Sequence, residues 1–252
     1  MSDLADLPLA LKRALRDARP LPPPAYALSP EEGYRIQGRA REASTSMLSG
    51  WKVALSAAAA QARLGLSEPV YGWLGADMAR APDSVLPLER LIAPKLEVEV
   101  AFRLGRELAP GSHDDAALLA AIADMAPALE VADSRWQGWR FDAGAFLADD
   151  AAAALYCIGA WQAFDADVCR QMQCCLLRGE VACARAETGD MPQRNLLWLL
   201  RRLLADGQPL RTGQIILSGA LLAPVDVEAG SYRLEMGGEA LAIRFENPKK
   251  HV

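Results

Sequence analysis

The segment from Lys95 to Leu104 constrains the fold more than any other part of the sequence, because a large apolar residue occupies every second position. Strict alternation is the period of a half-buried β-strand. Glu97 and Glu99 are therefore expected on one face of this strand, roughly 6.5–7 Å apart. At an effective dielectric of about 20, two carboxylates at this separation repel by roughly 2–3 kcal/mol. A divalent cation with oxygen ligands would turn the repulsion into attraction.

A third glutamate follows in a second strand-like segment, Ala128–Arg135. Leu129 and Val131 occupy one face of that segment and Glu130 the other. If the two strands are neighbours, Glu97, Glu99 and Glu130 line one cavity and form a metal site. The alternative is a solvated sheet face that merely carries surface charges.

Chain length and hydrophobic content allow one large domain with a helical appendage, since 52% of the 252 residues are hydrophobic. We expect an N-terminal helical segment over residues 1–48 and a mixed-sheet domain over residues 49–252, joined as one continuous unit.

Charge and composition exclude several classes of protein. The net charge of −5 and the absence of a basic cluster argue against nucleic-acid binding. The longest apolar stretch, Ala116–Ala132, is interrupted by Asp124 and Pro127, so no membrane span is expected. The first residues lack a signal-peptide pattern, and the five cysteines form no CxxC pair, which predicts a reduced, cytoplasmic protein. With two histidines in the chain, histidine-based zinc sites and Ser-His-Asp triads are poorly supported.

Periodicity and capping signals predict an α+β fold with a large mixed or antiparallel sheet. The predicted helices are 4–18, 30–43 (capped by Ser29), 57–64, 112–125 and 196–205. The predicted strands are 50–55, 95–104, 128–135, 155–164, the hairpin 173–185, 214–219, 231–236 and 240–246. Residues 68–77 and 136–145 are predicted as loops.

Six segments, in order, resemble the fumarylacetoacetate hydrolase superfamily, and within it the branch of 2-oxopent-4-enoate hydratases and oxalocrotonate decarboxylases. These segments are Gly33–Gln37, Gly50–Ser56, Leu64–Gly72, Glu97–Glu99, Pro127–Arg135 and Thr212–Leu221. The resemblance implies a mixed β-sandwich or roll with a helical N-terminal part, and homo-oligomeric assembly. It also implies that Glu97, Glu99 and Glu130 bind Mg²⁺ or Mn²⁺, and that the substrate is a small unsaturated 2-oxo or 2-hydroxy acid.

Several residues depart from the pattern of that branch, among them Gln214, where the branch usually has aspartate. Ala54, Asp150 and Ala152 stand where it usually has glycine, asparagine and serine. These changes leave the expected metal ligands intact but alter the expected wall of the pocket.

Two charged residues are candidates for catalysis. Lys52 stands between apolar neighbours, and lysine is rarely buried without a partner. It is expected to bind the substrate carboxylate or to move protons beside the metal; the alternative is a lysine that points out of an edge strand. Asp77 matches an acidic position of the family and is a candidate proton relay, although a loop or capping aspartate is an equal alternative.

Four further residues are predicted to contact substrate from the matched segments: Ser56, Ser218, Gly219 and Leu221. Ser218 and Gly219 would offer a hydroxyl group and a backbone N–H group to a carboxylate. The alternative interpretation is that Ser218 and Gly219 form a turn that requires glycine and do not contact the substrate.

The resemblance implies hydration of a 2-hydroxy-2,4-dienoate to a 4-hydroxy-2-oxo acid through a metal-stabilised dienolate. Decarboxylation of an oxalocrotonate-type acid needs the same stabilisation and is the second candidate. Hydrolytic members of the superfamily use a histidine near the N-terminus, whereas the first histidine here is His113. A catalytically weakened subunit in a complex with a partner enzyme of the same pathway is the third candidate.

Overall fold

The computed structural model describes residues 3–248, with side chains from Asp6 onward. Within that range the α-helices are α1 Asp3–Asp17, α2 Pro30–Glu42, α3 Ala58–Arg63, α4 Asp115–Leu119, α5 Ala143–Ala148, α6 Ala166–Gln171 and α7 Met191–Ala205. The first strands are β1 Leu48–Ala54, β2 Val70–Gly75, β3 Ala79–Arg80, β4 Val85–Pro87, β5 Lys95–Leu104, β6 Ile122–Ala132 and β7 Ala153–Ile158. The remaining strands are β8 Gln162–Ala163, β9 Gln173–Arg178, β10 Val181–Glu187, β11 Ile215–Leu217, β12 Val225–Asp226, β13 Gly230–Met236 and β14 Glu239–Glu246.

The larger sheet curls into a roll. Its strand order is β2-β1-β11-β5-β6-β7-β3, with β12 and β8 added at β5 and β6. The two end strands, β2 and β3, are joined by the single 3₁₀ turn Ala76–Met78. β2 and β3 lie at opposite edges of the sheet, yet only three residues separate them in the chain. The sheet must therefore curl until these two edges come together. The pairs β1–β11 and β3–β7 are parallel and the others are antiparallel, so the predicted α+β fold with a mixed sheet is confirmed.

The two faces of this sheet carry different side chains, as the alternation along β5 predicts. The outer face packs against α7 and against the second sheet, whose order is β10-β9-β13-β14-β4. The inner face carries Lys52, Glu97, Glu99 and Glu130 beside a small apolar cluster of Leu74, Ala101, Ala128, Tyr156 and Leu217. The charged groups therefore project into the interior of the roll.

The N-terminal helices pack on the part of the chain that follows β6. Ser29 caps α2 through a capping box with Glu32, as predicted. Leu11 and Ile36 join a buried cluster with Trp136 and Ala145.

Four sequence predictions about secondary structure were wrong. The strand predicted over residues 155–164 is divided into β7, which ends at Ile158, and the short β8. Residues 70–75 form the buried strand β2 rather than a loop. The helix predicted over residues 112–125 is limited to α4, capped by Asp114, and β6 already begins at Ile122. The loop predicted over residues 136–145 contains the 3₁₀ turn Gln137–Trp139 and the start of α5, which Asp142 caps.

Candidate metal centre

Three carboxylates meet inside the roll. Glu97 on β5 is directly opposite Glu130 on β6 in the antiparallel register, and Glu99 follows two residues later on the same face. One carboxylate oxygen from each of the three residues lies within 4.8 Å of the others. Glu99 and Glu130 are fully buried, while Glu97 keeps partial exposure. The two strands that carry the glutamates are therefore neighbours, as the predicted metal site requires.

Two oxygen atoms of this cluster have neither a hydrogen bond nor an ion pair. Glu99 accepts a hydrogen bond at Oε2 from the backbone N–H of Gly219 at 2.7 Å. Its Oε1 atom, and Oε2 of Glu130, are buried without a partner among the described residues. Buried polar atoms are nearly always satisfied in folded proteins, so an unpaired pair of carboxylate oxygens at one point indicates a site for a ligand.

Lys52 is the cation of the cluster. Its side chain is 1% exposed, and Nζ lies 2.5 Å from Oε1 of Glu130. The ammonium also donates to the backbone oxygen of Ala151 at 3.1 Å. Burial lowers the pKa of Lys52, but the charges of Glu130, Glu97 and Glu99 outweigh it and raise the pKa above its ordinary value. Lys52 is therefore an ammonium ion that points into the roll and not out of an edge strand.

The donor set fits a hard divalent cation. Burial raises the pKa of Glu97 and of Glu99, and the charge of Glu130 raises both further, while Lys52 lowers them. A bound cation favours the ionised form of all three carboxylates, and together with the ammonium they would then carry a net charge of −2, which a divalent ion balances. All donors are oxygens, the ligands that hard cations prefer, and two oxygens on one such ion are at most about 4–5 Å apart.

A left-handed turn closes one side of the cluster and places the oxygen that binds Lys52. Asp150, Ala151 and Ala152 have φ angles of 52°, 49° and 60°. For residues with a Cβ atom this conformation costs roughly 1–2 kcal/mol each. The guanidinium of Arg135 ion-pairs with Asp149 and donates to the backbone oxygens of residues 149 and 153, on both sides of the turn. The buried ion pair between Arg135 and Asp149 therefore stabilises the strained turn.

The predicted substrate-binding residues divide into two groups. Gly219 reaches the cluster, but its N–H group is bound to Glu99. A Cβ atom on Gly219 would lie 3.2 Å from Oγ of Ser56, so Ser56 borders the same point. The Ser218 hydroxyl is turned to the backbone, where it accepts from the N–H of Val100 at 3.0 Å. Leu221 is half-buried and packs against the main core. The groups of Ser218 and Gly219 expected to meet a carboxylate are therefore already engaged.

Asp77 does not join the carboxylate cluster in the described part of the chain. It is exposed in the turn between β2 and β3 and lines a separate cavity of about 510 Å³ with Arg80 and Ala154. Its neighbour Gly75 pairs with Leu48, four residues before Lys52 on β1, or about 13 Å along the strand.

Sequence reasoning missed Asn195 beside the site, and it placed Asp150 in the pocket wall without giving that residue a role. Asn195 on α7 donates to the backbone oxygen of Ser218 at 2.8 Å, and a single asparagine in a helix gives no sequence signal. Asp150 is buried, with Oδ1 accepting from the N–H of Trp73 at 2.9 Å. Two adjacent aspartates inside the apolar run 143–158 were the available signal for Asp150.

No helix in residues 3–248 combines the length and the apolar character that crossing a membrane requires.

Comparison with known proteins gives clear relatives, although no family model matches the chain. The chain is 33% identical over 243 residues to "2-keto-4-pentenoate hydratase 2" of Dechloromonas aromatica, covering 92% of each protein. It is 30% identical over 207 residues to "4-oxalocrotonate decarboxylase" of a Pseudomonas species, covering 81% of this chain and 78% of that protein. The solved structure of 4-oxalocrotonate decarboxylase from Pseudomonas putida G7, complexed with magnesium and adipate, has the same fold. It superposes with a TM-score of 0.88 at 22% identity, covering 97% of this chain and 98% of that one. The chain therefore belongs to the family of the 2-keto-4-pentenoate hydratases and 4-oxalocrotonate decarboxylases.

Proposed function

We propose that this protein is a metal-dependent hydro-lyase that adds water to a 2-hydroxy-2,4-dienoate of the 2-oxopent-4-enoate type. The product is a 4-hydroxy-2-oxo acid. Relatives named 2-keto-4-pentenoate hydratase at 30–33% identity over most of the chain support this reaction.

The observation that carries the proposal is the meeting of Glu97, Glu99 and Glu130 with Lys52 inside the roll. Mg²⁺ or Mn²⁺ is the ion that we propose for the three carboxylates, since both are hard cations. When bound, such an ion would supply Lewis-acid stabilisation of the negative charge that develops on the 2-oxygen of the substrate.

Lys52 provides the charge that recognises an acid. Its ammonium is fixed between Glu130 and the oxygen of Ala151, so little side-chain entropy is left to lose when a carboxylate binds. Because the surrounding carboxylates raise its pKa, Lys52 stays charged at neutral pH and is suited to hold a carboxylate. We assign it to substrate binding, with Ser56 and Gly219 at the border of the same space.

Hydration of the 2-hydroxydiene adds a proton at C5, a proton at C3 and the hydroxyl group of water at C4, while the 2-hydroxyl group and the attacking water each give up one proton. The roll excludes bulk water from Glu99 and Glu130, which are fully buried, and leaves access on the side of Glu97. Exclusion of water strengthens each electrostatic contact that the buried groups make with the substrate.

Decarboxylation of a 4-oxalocrotonate-type acid is the second candidate function. The relative at 30% identity with that name supports it, and stabilisation of the same developing charge would serve both reactions. The two reactions differ in whether carbon dioxide leaves.

A direct assay separates the candidates. With magnesium and 2-hydroxypenta-2,4-dienoate, the protein is expected to remove the diene absorbance without releasing carbon dioxide. A higher kcat/KM for an oxalocrotonate-type acid, with carbon dioxide released, would make it a decarboxylase. Turnover that is undiminished in excess EDTA would contradict both, and a protein that binds neither metal nor oxalate would be a non-catalytic subunit.

A further inference from the structure

The carboxyl group of Asp150 is a buried acid with one free oxygen atom. The residue is 6% exposed, and Oδ1 accepts a hydrogen bond from the backbone N–H of Trp73. Oδ2 is buried and has no hydrogen-bond partner among the described residues. A group of this kind is uncommon in a folded protein and needs an explanation.

Gly72 shows where this carboxyl group lies. Gly72 is paired with Lys52 across β1 and β2, so the two residues share the inner face of the roll. A Cβ atom on Gly72 would lie 3.0 Å from Oδ1 of Asp150 and 2.6 Å from its backbone oxygen. The carboxyl group therefore takes the space that a side chain at position 72 would fill, beside the lysine of the candidate site.

The cations near Asp150 are already paired with other acids. Lys52 is bound to Glu130, and Arg135 is bound to Asp149. Burial raises the pKa of Asp150 well above its ordinary value, and Asp149 adds to the rise. The hydrogen bond from Trp73 and the charges of Arg135 and Lys52 lower the pKa by less. With Oδ1 accepting from Trp73, a neutral carboxyl group has its proton on Oδ2.

We infer that Asp150 is a further substrate-binding residue, whose neutral carboxyl group donates a hydrogen bond from Oδ2 to the carboxylate that Lys52 holds. The inference rests on the proposed function, because it requires an acid bound at Lys52. It assigns to this site a ligand contact outside the predicted set of Lys52, Ser56, Ser218, Gly219 and Leu221.

The test is oxalate affinity, measured by isothermal titration of manganese-loaded protein between about pH 5 and pH 9. Asp150→Leu should weaken oxalate binding roughly 10- to 100-fold, as expected for a lost hydrogen bond to a charged group. Asp150→Asn keeps an acceptor for Trp73 and a donor toward the ligand, so its affinity should stay within about threefold of wild type at low pH. Oxalate affinity of the wild type should fall as pH rises through the pKa of Asp150, and this fall should be absent in Asp150→Asn.

A second measurement reads the protonation state without a ligand. A carboxyl group whose pKa is raised by folding destabilises the fold as pH rises toward that pKa. In metal-free protein, Asp150→Asn should therefore melt at the wild-type temperature or above it at pH 8. Asp83→Asn, at an exposed loop residue with a φ angle of 63°, is the matched control and should change neither readout.

The comparison of wild type with Asp150→Asn remains decisive even where Asp150→Leu fails to fold. The inference is overturned if wild type and Asp150→Asn share both the pH profile for oxalate and the pH dependence of melting, or if Asp150→Leu binds oxalate normally. Wild-type protein that binds no oxalate at any pH would instead overturn the proposed function and the inference with it. In that case the melting temperatures of wild type and Asp150→Asn still show whether Asp150 is protonated in the folded protein.

Discussion

Lys52 and Glu130 form an ion pair in which each side chain is only 1% exposed. Removing two ions from water costs several kcal/mol per ion, so such a pair persists only when its geometry is good and its neighbours add further hydrogen bonds. Ala151 supplies one such bond to the ammonium. If one partner is lost, the other is left as an unpaired charge inside the roll.

The substitution Lys52→Met should therefore destabilise the metal-free protein by about 3–5 kcal/mol, because Glu130 loses its buried cation. Oxalate affinity should fall as well, since the ammonium no longer meets the carboxylate, whereas metal affinity should not fall. Chemical denaturation in EDTA and titration of manganese-loaded protein measure these effects. Lys12→Met on the exposed side of α1 is the control. If Lys52→Met is as stable as wild type and binds oxalate as tightly, then Lys52 neither balances Glu130 nor binds the carboxylate.

At this scale, the sequence identified residues whose chemistry is unusual for their position. A lone lysine among apolar residues and two glutamates on one strand face are such cases, and the structure brings these residues together. The roles of Ser218 and Gly219 were harder to predict, since a hydroxyl or N–H group can serve the backbone equally well. Their hydrogen bonds to Val100 and Glu99 depend on pairing between strands that are distant in the chain.

Among the elements, the left-handed turn Asp150–Ala152 is the most demanding piece of local structure beside the site. Its cost is offset by Arg135, by the N–H of Asp133, which donates to the oxygen of Ala152 at 2.8 Å, and by the bond to Lys52. The turn is thus maintained by its surroundings and not by its own sequence.

Ala152→Gly tests this strain. Glycine relieves roughly 1–2 kcal/mol at this φ angle, which offsets the loss of a buried methyl group and the greater entropy of the unfolded chain. Its free energy of unfolding should therefore stay within about 0.5 kcal/mol of wild type. Ala145 is equally buried but lies in α5, where the backbone is not strained. The free energy of unfolding of Ala145→Gly should therefore fall by about 1–2 kcal/mol. Equal losses in the two variants, measured by chemical denaturation, would show that the turn is unstrained.

The wrong predictions at this scale have one physical cause, which is that tertiary pairing overrides local signals. Pro127 argued for a chain break, yet it lies inside β6. The missing N–H group of Pro127 costs no ladder hydrogen bond there, because β6 pairs with β8 up to Met125 and with β7 only from Ala128. The backbone oxygen of Pro127 still accepts from Gly159 at 2.9 Å. Likewise, the glycines of β2 favour a loop when the sequence is considered alone. In the structure Gly72 is required because Asp150 lies where a side chain at position 72 would be.

For the whole molecule, the roll places charges from three separated strands at one point. Lys52 lies on β1, Glu97 and Glu99 lie on β5, and Glu130 lies on β6. The sequence predicted the fold class, whereas the pairing of β5 with β6 entered only as a condition, which the structure meets. Closure of the roll through β2 and β3 was not predictable, because no local pattern indicates that two ends of a sheet meet. The division at residue 48 and the homo-oligomeric assembly stay predictions.

The central claim is that the three glutamates bind a divalent ion that the proposed reaction needs. Without an ion the carboxylates repel one another, so Glu99→Gln should leave the metal-free protein as stable as wild type or slightly more stable. Activity should fall by several orders of magnitude, because the Lewis acid is lost. Glu89→Gln, at an exposed residue, should behave like wild type in both respects.

The most direct measurement is the thermal shift that magnesium or manganese produces in wild type, Glu99→Gln and Glu89→Gln. Stabilisation by a bound ion grows with the ratio of its concentration to its dissociation constant. We expect a rise in melting temperature at millimolar metal for wild type and Glu89→Gln, and almost none for Glu99→Gln. A wild-type melting temperature that neither ion changes would mean that the carboxylate cluster is not a metal site.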